Sequence, residues 1–219
     1  MHPPLPERLG KETKSFLNSA TSLRVILAIV FITFFPGNAF AKEPPQNLLV
    51  SLPAHVKTFT AETPQVYEDE KFGASIGYND PAGTSITLYL YDLAVQDIPD
   101  GISSEIIRSA KEEAIGELKE VEKSGLYSDV KITVDQEIDF GLDAGKTLKM
   151  LFVSFSYNMK DQYSTEVLPI FSDMYLTGFK GYICKIRISR PEIQKEKEDE
   201  IKETIKTLLS TLMSQTGAH

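Results

Sequence analysis

Carboxylates are the side chains of this sequence whose spacing most readily suggests chemistry. Asp92, Asp97 and Asp100 fall close together, just after a segment with the pattern of a β-strand. Clustered carboxylates can hold a calcium ion, or act as a general acid and base in hydrolysis. Their spacing does not match a helix–loop–helix calcium site, and solvated acidic loops are common. Hydrolysis by these loop carboxylates is therefore kept as an alternative hypothesis.

A thiol and an imidazole are the other side chains considered for catalysis. Cys184, the single cysteine, lies on a predicted strand on the same side as Tyr182, Ile186 and Ile188. A nucleophilic thiol needs a nearby base and partial exposure, so we predict a buried, inert thiol. His55 has no companion ligand at metal-binding spacing, and we expect it at the surface. One cysteine also excludes an intramolecular disulfide.

Known catalytic and cofactor motifs are absent from the sequence. It contains no glycine-rich phosphate loop, no His-Glu-x-x-His, no Cys-x-x-Cys and no Gly-x-Ser-x-Gly. We therefore predict a protein that is not an enzyme, with no catalytic residue, no metal site and no cofactor.

Tyrosine is frequent, with nine in the chain. Buried tyrosines pack in a core while the hydroxyl reaches a polar partner. The alternative is an aromatic cavity between sheet and helix, which would carry a small hydrophobic ligand. The tyrosines on or beside predicted strands are Tyr89, Tyr91, Tyr157, Tyr163, Tyr175 and Tyr182.

The composition is that of an acidic globular protein. The hydrophobic fraction is 42% and the formal net charge is −8. This charge gives no electrostatic footprint for nucleic acid or for an anionic membrane surface. We predict no nucleic-acid partner.

Residues 1–41 have the pattern of a secretory signal peptide. Arg24 precedes an apolar run at 25–35, which is too short to span a bilayer. Ala39 and Ala41 then supply the small-x-small pattern for cleavage after Ala41. Residues 1–23 are unusually polar for a signal, so we hypothesise that translation begins at Leu23. We predict a periplasmic protein with no stable membrane anchor after cleavage.

The segment from Thr147 to Ile188 is nearly continuous strand-like sequence with two turns, which predicts a three-stranded antiparallel meander. Residues 73–92 predict a hairpin, and both faces of its second strand carry bulky side chains, which predicts that both faces are covered. Residues 129–140 alternate between apolar and polar, which predicts an edge strand with Val130, Ile132, Val134, Ile138 and Phe140 on one side. Pro169 predicts a bulge or an edge position.

Two helices are predicted around these strands. The first spans 103–124, begins at a Ser103 or Ser104 cap and ends at Gly125. The second opens at Pro191 and carries an apolar stripe to Leu212. Residues 42–65 predict an extended N-terminal arm with strands at Leu48–Ser51 and Val56–Thr60. The predicted domains are this arm, a single α+β domain at 66–214 and a frayed tail at 215–219.

The predicted fold is α+β, an antiparallel sheet of about six strands packed between helices in the order β-β-α-β-β-β-β-α. With the sequence FGASIGY at 72–78 and YLTG at 175–178, this order resembles the Mog1/PsbP-like α/β/α sandwich family. That resemblance covers residues 66–214 and implies an accessory or binding protein of the bacterial envelope. A shared fold does not identify functional residues, so no site residue is assigned from this resemblance. We hypothesise an exported, non-catalytic module whose partner is an envelope protein or a small ligand.

Overall fold

The computed structural model describes residues 44–160, 166–192 and 197–215. The helices are α1 (Pro45–Val50), α2 (Glu105–Lys123) and α3 (Glu198–Ser214). The first five strands are short: β1 (His55–Val56), β2 (Phe59–Ala61), β3 (Gln65–Val66), β4 (Ala74–Asn79) and β5 (Ser85–Tyr91). The last four are long: β6 (Tyr127–Gly141), β7 (Thr147–Lys160), β8 (Val167–Phe179) and β9 (Tyr182–Pro191). Single 3₁₀ turns lie at Glu70–Phe72 and Asp143–Gly145.

All nine strands form one open antiparallel sheet. Its order is β1-β2-β4-β5-β9-β8-β7-β6, and β3 pairs with β4 beside this path. The neighbouring β7, β8 and β9 confirm the predicted meander. The β9 strand returns to pair with β5, which joins the meander to the first hairpin. The sheet therefore places β9 among the inner strands, between two strands that are distant from each other in the sequence.

The predicted fold class is wrong. The described chain is dominated by a nine-stranded open sheet with three helices, and not by a sandwich of about six strands in the stated order. The extra strands β1, β2 and β3 are only two or three residues long. Such short strands show no alternation that could be recognised in a sequence, because period-2 patterning needs about four residues or more.

Apolar side chains form two clusters on opposite faces of the sheet. One contains residues of α1 and α3 together with Ile86, Leu88 and Ile186. The other contains the stripe of α2 together with Val153, Leu176 and Ile183. Strand alternation separates the two sets, since neighbouring residues of a strand point to opposite faces. Ser104 caps α2 as predicted, by accepting from the backbone N–H of Ile106.

Bulges interrupt the edge strand β6, so the prediction that its apolar side chains share one face is wrong. Its register shifts between Ser128 and Lys131 and again between Ile132 and Val134. An extra residue moves the following side chains to the other face. Ile132 therefore pairs with Phe155 on the α2 side, while Phe140 belongs to the α3-side cluster. The edge position is confirmed, but the single apolar side is not.

Local predictions also fail at both ends of the domain. The predicted strand at Leu48–Ser51 is helical, because Leu48 and Leu49 are buried as one face of α1. Pro191 ends β9 instead of opening a helix, and α3 begins at Glu198. Pro169 pairs regularly with Asn158 on β7, and β8–β9 pairing begins only at the next residue. The missing N–H of Pro169 therefore costs no ladder hydrogen bond on the β9 side.

Candidate functional site

Two cations, Lys185 and Arg187, occupy alternate positions of β9. Cys184, Ile186 and Ile188 are fully buried against the α3 side, as predicted for Cys184. Lys185 and Arg187 point to the opposite face, where α2 packs, and both are half-buried. A charge is costly to remove from water unless it finds a partner. The surroundings of these two side chains therefore define the candidate site.

Lys185 lies against two aromatic rings of β5. Its Nζ is 4.8 Å from the ring centroid of Tyr89 and 5.4 Å from that of Tyr91. These distances are typical of cation–π contacts. Nζ forms no hydrogen bond or ion pair with any residue that the structure describes. Its three N–H donors are thus open toward the α2 face of the sheet.

A carboxylate of α2 lies near Lys185 without pairing to it directly. Burial lowers the pKa of Lys185, and the charge of Glu117 opposes that effect. Burial likewise raises the pKa of Glu117, with Lys185 opposing and Glu113 adding to the rise. Opposite shifts of a carboxyl and an amine toward their neutral forms mark a functional-site candidate.

Arg187 is surrounded by hydroxyl groups. Its Nε donates to Ser172 Oγ at 3.3 Å, and its charge interacts with the phenols of Tyr127 and Tyr157. The rings of these two tyrosines stack with centroids 4.3 Å apart. Although burial disfavours the charge, the phenolic oxygens of Tyr157, Tyr127 and Tyr89 raise the pKa of Arg187. No described carboxylate forms an ion pair with it.

Tyr91 and Tyr127 remain neutral hydrogen-bonding groups. Burial raises the pKa of Tyr91, and the charges of Glu117 and Glu113 add to the rise. Burial also raises the pKa of Tyr127, together with Tyr157, against the effect of Arg187. Their hydroxyls therefore keep the proton well above neutral pH and can donate it to an anion. We refer to Tyr89, Tyr91, Tyr127, Tyr157, Ser172, Lys185 and Arg187 as the tyrosine–cation cluster.

The structure divides the tyrosines chosen from the sequence. Tyr89, Tyr91 and Tyr157 join the tyrosine–cation cluster, whereas Tyr175 and Tyr182 belong to the α3-side apolar cluster. Tyr163 lies outside the described residues. Sequence reasoning missed Tyr127, which follows the end of α2 and forms the first residue of β6. Sequence reasoning also gave no functional role to Lys185 and Arg187. The available signal was their position as two cations at i and i+2 in a largely apolar strand.

Asp92 and Asp100 of the acidic loop accept hydrogen bonds from backbone N–H groups. Asp92 Oδ1 accepts from the N–H of Ala94 at 2.9 Å, which stabilises its own turn. Asp100 Oδ1 accepts from the N–H of Lys180 at 2.7 Å, which ties the loop to the β8–β9 turn. Asp97 adopts a positive φ of 58°. These contacts give Asp92 and Asp100 separate structural partners, and no observation favours the hydrolase alternative.

His55 is exposed, with Nδ1 3.2 Å from Thr60 Oγ1. Among the described residues, no group of three or more His, Cys, Asp and Glu side chains is placed to hold a metal ion. None of the helices within the described ranges has the length and apolar character needed to span a membrane.

Two open grooves lie along the edge strand β6. One, of about 370 Å³, includes Tyr157 of the tyrosine–cation cluster among its lining residues, with Lys131 and Asn158. The other, of about 360 Å³, lies between α2 and the bulged part of β6 and is lined by Leu118 and Ile132 among others. Both volumes suit a small ligand or part of one.

Neither a protein-family model nor a curated protein matches the chain. The resemblance to the Mog1/PsbP-like family therefore stays a prediction.

The burial of Cys184 and Tyr78 predicts that the stability of the fold depends on pH. Burial raises the pKa of Cys184 to about 12 and that of Tyr78 to about 12. Both values exceed those expected in the unfolded chain, so both groups stabilise the fold fully below about pH 9. That contribution is lost as the pH rises toward about 12. We expect the melting temperature to fall across this range, measured by circular dichroism.

A Cys184→Ala variant is the control for this prediction, and it should lose less stability between those pH values than the unmodified protein. Iodoacetamide at neutral pH should leave the folded thiol unmodified and label it in urea. Rapid labelling of the folded protein would contradict the assignment.

Proposed function

We propose that the chain is an exported, non-catalytic binding module and that the tyrosine–cation cluster is its recognition surface for a small ligand. The supporting observation is the half-buried guanidinium of Arg187, which has no ion pair with a described carboxylate. The chain contains 31 acidic residues, so neutralising groups are plentiful. A partly buried cation that has no carboxylate partner is typical of a site that binds a ligand.

The positions of the surrounding residues favour binding over catalysis. Lys185 and Arg187 are anchored on an inner strand, which holds them more firmly than a loop would. Tyr89 and Tyr91 lie on the adjacent strand β5 and provide flat, partly exposed rings. Export rests on the signal predicted at residues 1–41, which lies outside the described residues. Location in a bacterial periplasm is part of the same proposal.

Native mass spectrometry of the mature protein from its own host tests this function. We expect a retained small-molecule mass on the unmodified chain. A Lys185→Met/Arg187→Gln variant should lose that mass, because both removed charges belong to the cluster. Lys202→Met removes a positive charge from the exposed surface of α3 and is the matched control. A retained mass that survives the double substitution would place the ligand elsewhere and overturn the proposal.

A further inference from the structure

We infer that the ligand of the tyrosine–cation cluster presents an oxyanion, a carboxylate or a phosphate group, to Arg187 and Lys185. This inference rests on the proposed function and specifies its chemistry. Three features of the described cluster support it, namely the donors left open on the cations, the hydroxyls beside Arg187 and the position of Glu117.

The first feature is an excess of N–H donors. A guanidinium has five N–H groups in a planar fork, and an ammonium has three. Among the described residues, Arg187 uses Nε on Ser172 Oγ, and its charge interacts with the phenols of Tyr157 and Tyr127. Lys185 uses none of its donors on a described residue. Carboxylates and phosphates are the groups that fit such a fork and satisfy several donors together.

The second feature is the pair of phenols at the far side of Arg187. Tyr127 and Tyr157 are both buried, and their rings stack with centroids 4.3 Å apart. The charge of Arg187 acts on Tyr127, and Tyr157 acts on Arg187. Each neutral phenol has one O–H to donate, and neither cation can accept a hydrogen bond. An oxyanion beside Arg187 could accept from a phenol and from the open N–H donors at the same time.

The third feature is charge balance. Glu117 and Glu113 of α2 are the carboxylates that act on Lys185, and Lys185 and Arg187 both act on Glu117. The two cations therefore lie within the field of the partly buried Glu117, and Lys185 also lies within that of Glu113. A singly charged group thus meets less repulsion than a doubly charged one. The cluster therefore favours a carboxylate over a phosphate, and the experiment compares the two.

Titration of the purified chain followed by ¹⁵N-resolved NMR tests this inference. The probes are benzoate, inorganic phosphate and, as the neutral match of benzoate, benzamide. We expect saturable shifts with benzoate at the amides of β5 and β9, weaker shifts with phosphate and none with benzamide. If phosphate binds more tightly than benzoate, the inference of an oxyanion ligand would hold, but the preference for a carboxylate would be overturned.

Substitutions locate the binding site. Arg187→Gln and Lys185→Met should each weaken benzoate binding at least about tenfold, since each removes a charge-assisted contact. Arg187→Lys keeps the charge but removes the fork, so it should also weaken binding. Lys202→Met should leave the affinity unchanged. If Arg187→Gln fails to fold, Lys185→Met and Tyr157→Phe carry the test, with thermal unfolding measured on each variant.

The outcomes separate this inference from the proposed function. Absence of saturable shifts with both anions up to about 10 mM would overturn the inference. The proposed function would still hold, with a neutral ligand, if the unmodified chain retains a ligand mass and the Lys185→Met/Arg187→Gln variant loses it. Anion binding that both single substitutions leave unchanged would also overturn the inference, because the anion would lie outside the cluster.

Discussion

The Asp173→Asn substitution should lower the free energy of unfolding by about 3 kcal/mol or more. Asp173 accepts from Arg190 Nη1 at 2.6 Å, and both side chains are about nine-tenths buried. Ser154 Oγ donates to the other carboxylate oxygen at 2.6 Å. Arg190 Nε has no hydrogen-bond partner among the described residues. Loss of the carboxylate would therefore leave a buried guanidinium charge without compensation.

Two further variants distinguish a buried ion pair from a general effect of the substitution. Arg108 and Glu137 form an ion pair at 3.2 Å with both side chains about half exposed, so Glu137→Gln should cost less than about 1 kcal/mol. An Asp173→Leu/Arg190→Met double variant should recover most of the lost stability, since no charge is left buried. Denaturant unfolding measures all three. Equal costs for the two acid-to-amide substitutions would contradict this account.

The Gly178→Ala substitution should cost about 3–5 kcal/mol. A Cβ at Gly178 would lie 1.9 Å from the carbonyl oxygen of Pro99, which is a backbone atom and cannot rotate away. Gly178 and Gly101 exchange two backbone hydrogen bonds, of 2.8 and 2.9 Å. Displacement of this loop would break both, at about 1 kcal/mol each. It would also expose part of Ile98 and Ile102, which belong to the α2-side cluster.

Gly116→Ala is the matched control for this loop contact. Gly116 lies inside α2, and a Cβ there would meet nothing within 4 Å. The same added methyl group should stabilise the protein by about 0.5–1 kcal/mol, because alanine has the higher helix propensity. Opposite signs for the two glycines, measured by denaturant unfolding, are the expected result. A neutral Gly178→Ala variant would show that the loop can move at little cost.

Much of the local structure follows from the pattern of the sequence. Alternation over the long strands β7, β8 and β9 predicts the meander, because residues i and i+2 share a face. The three- and four-residue spacing of Ile107, Ala110 and Leu118 predicts α2 and its buried stripe. The same alternation predicts a buried Cys184. In each case the signal is a repeat within one element, which neighbouring residues determine by themselves.

Other features depend on contacts between distant segments. The bulge that turns Ile132 and Phe140 to opposite faces is set by pairing with β7, and no residue within β6 marks it. Among the short N-terminal strands, β2 and β3 pair with β4, and β1 pairs with β2. The second face of β5, predicted to be covered, is only half-buried at Tyr89 and Tyr91.

The sequence by itself determined the long strands, the amphipathic α2 and the alternation that sends Lys185 and Arg187 away from Cys184. Only the tertiary structure decided what lies beside those two cations. Tyr89, Tyr127 and Tyr157 come from three strands that are separated by long stretches of sequence, and sheet order brings them together. Alternation assigns a side chain to a face of its own strand, whereas its neighbours on that face depend on which strands pair.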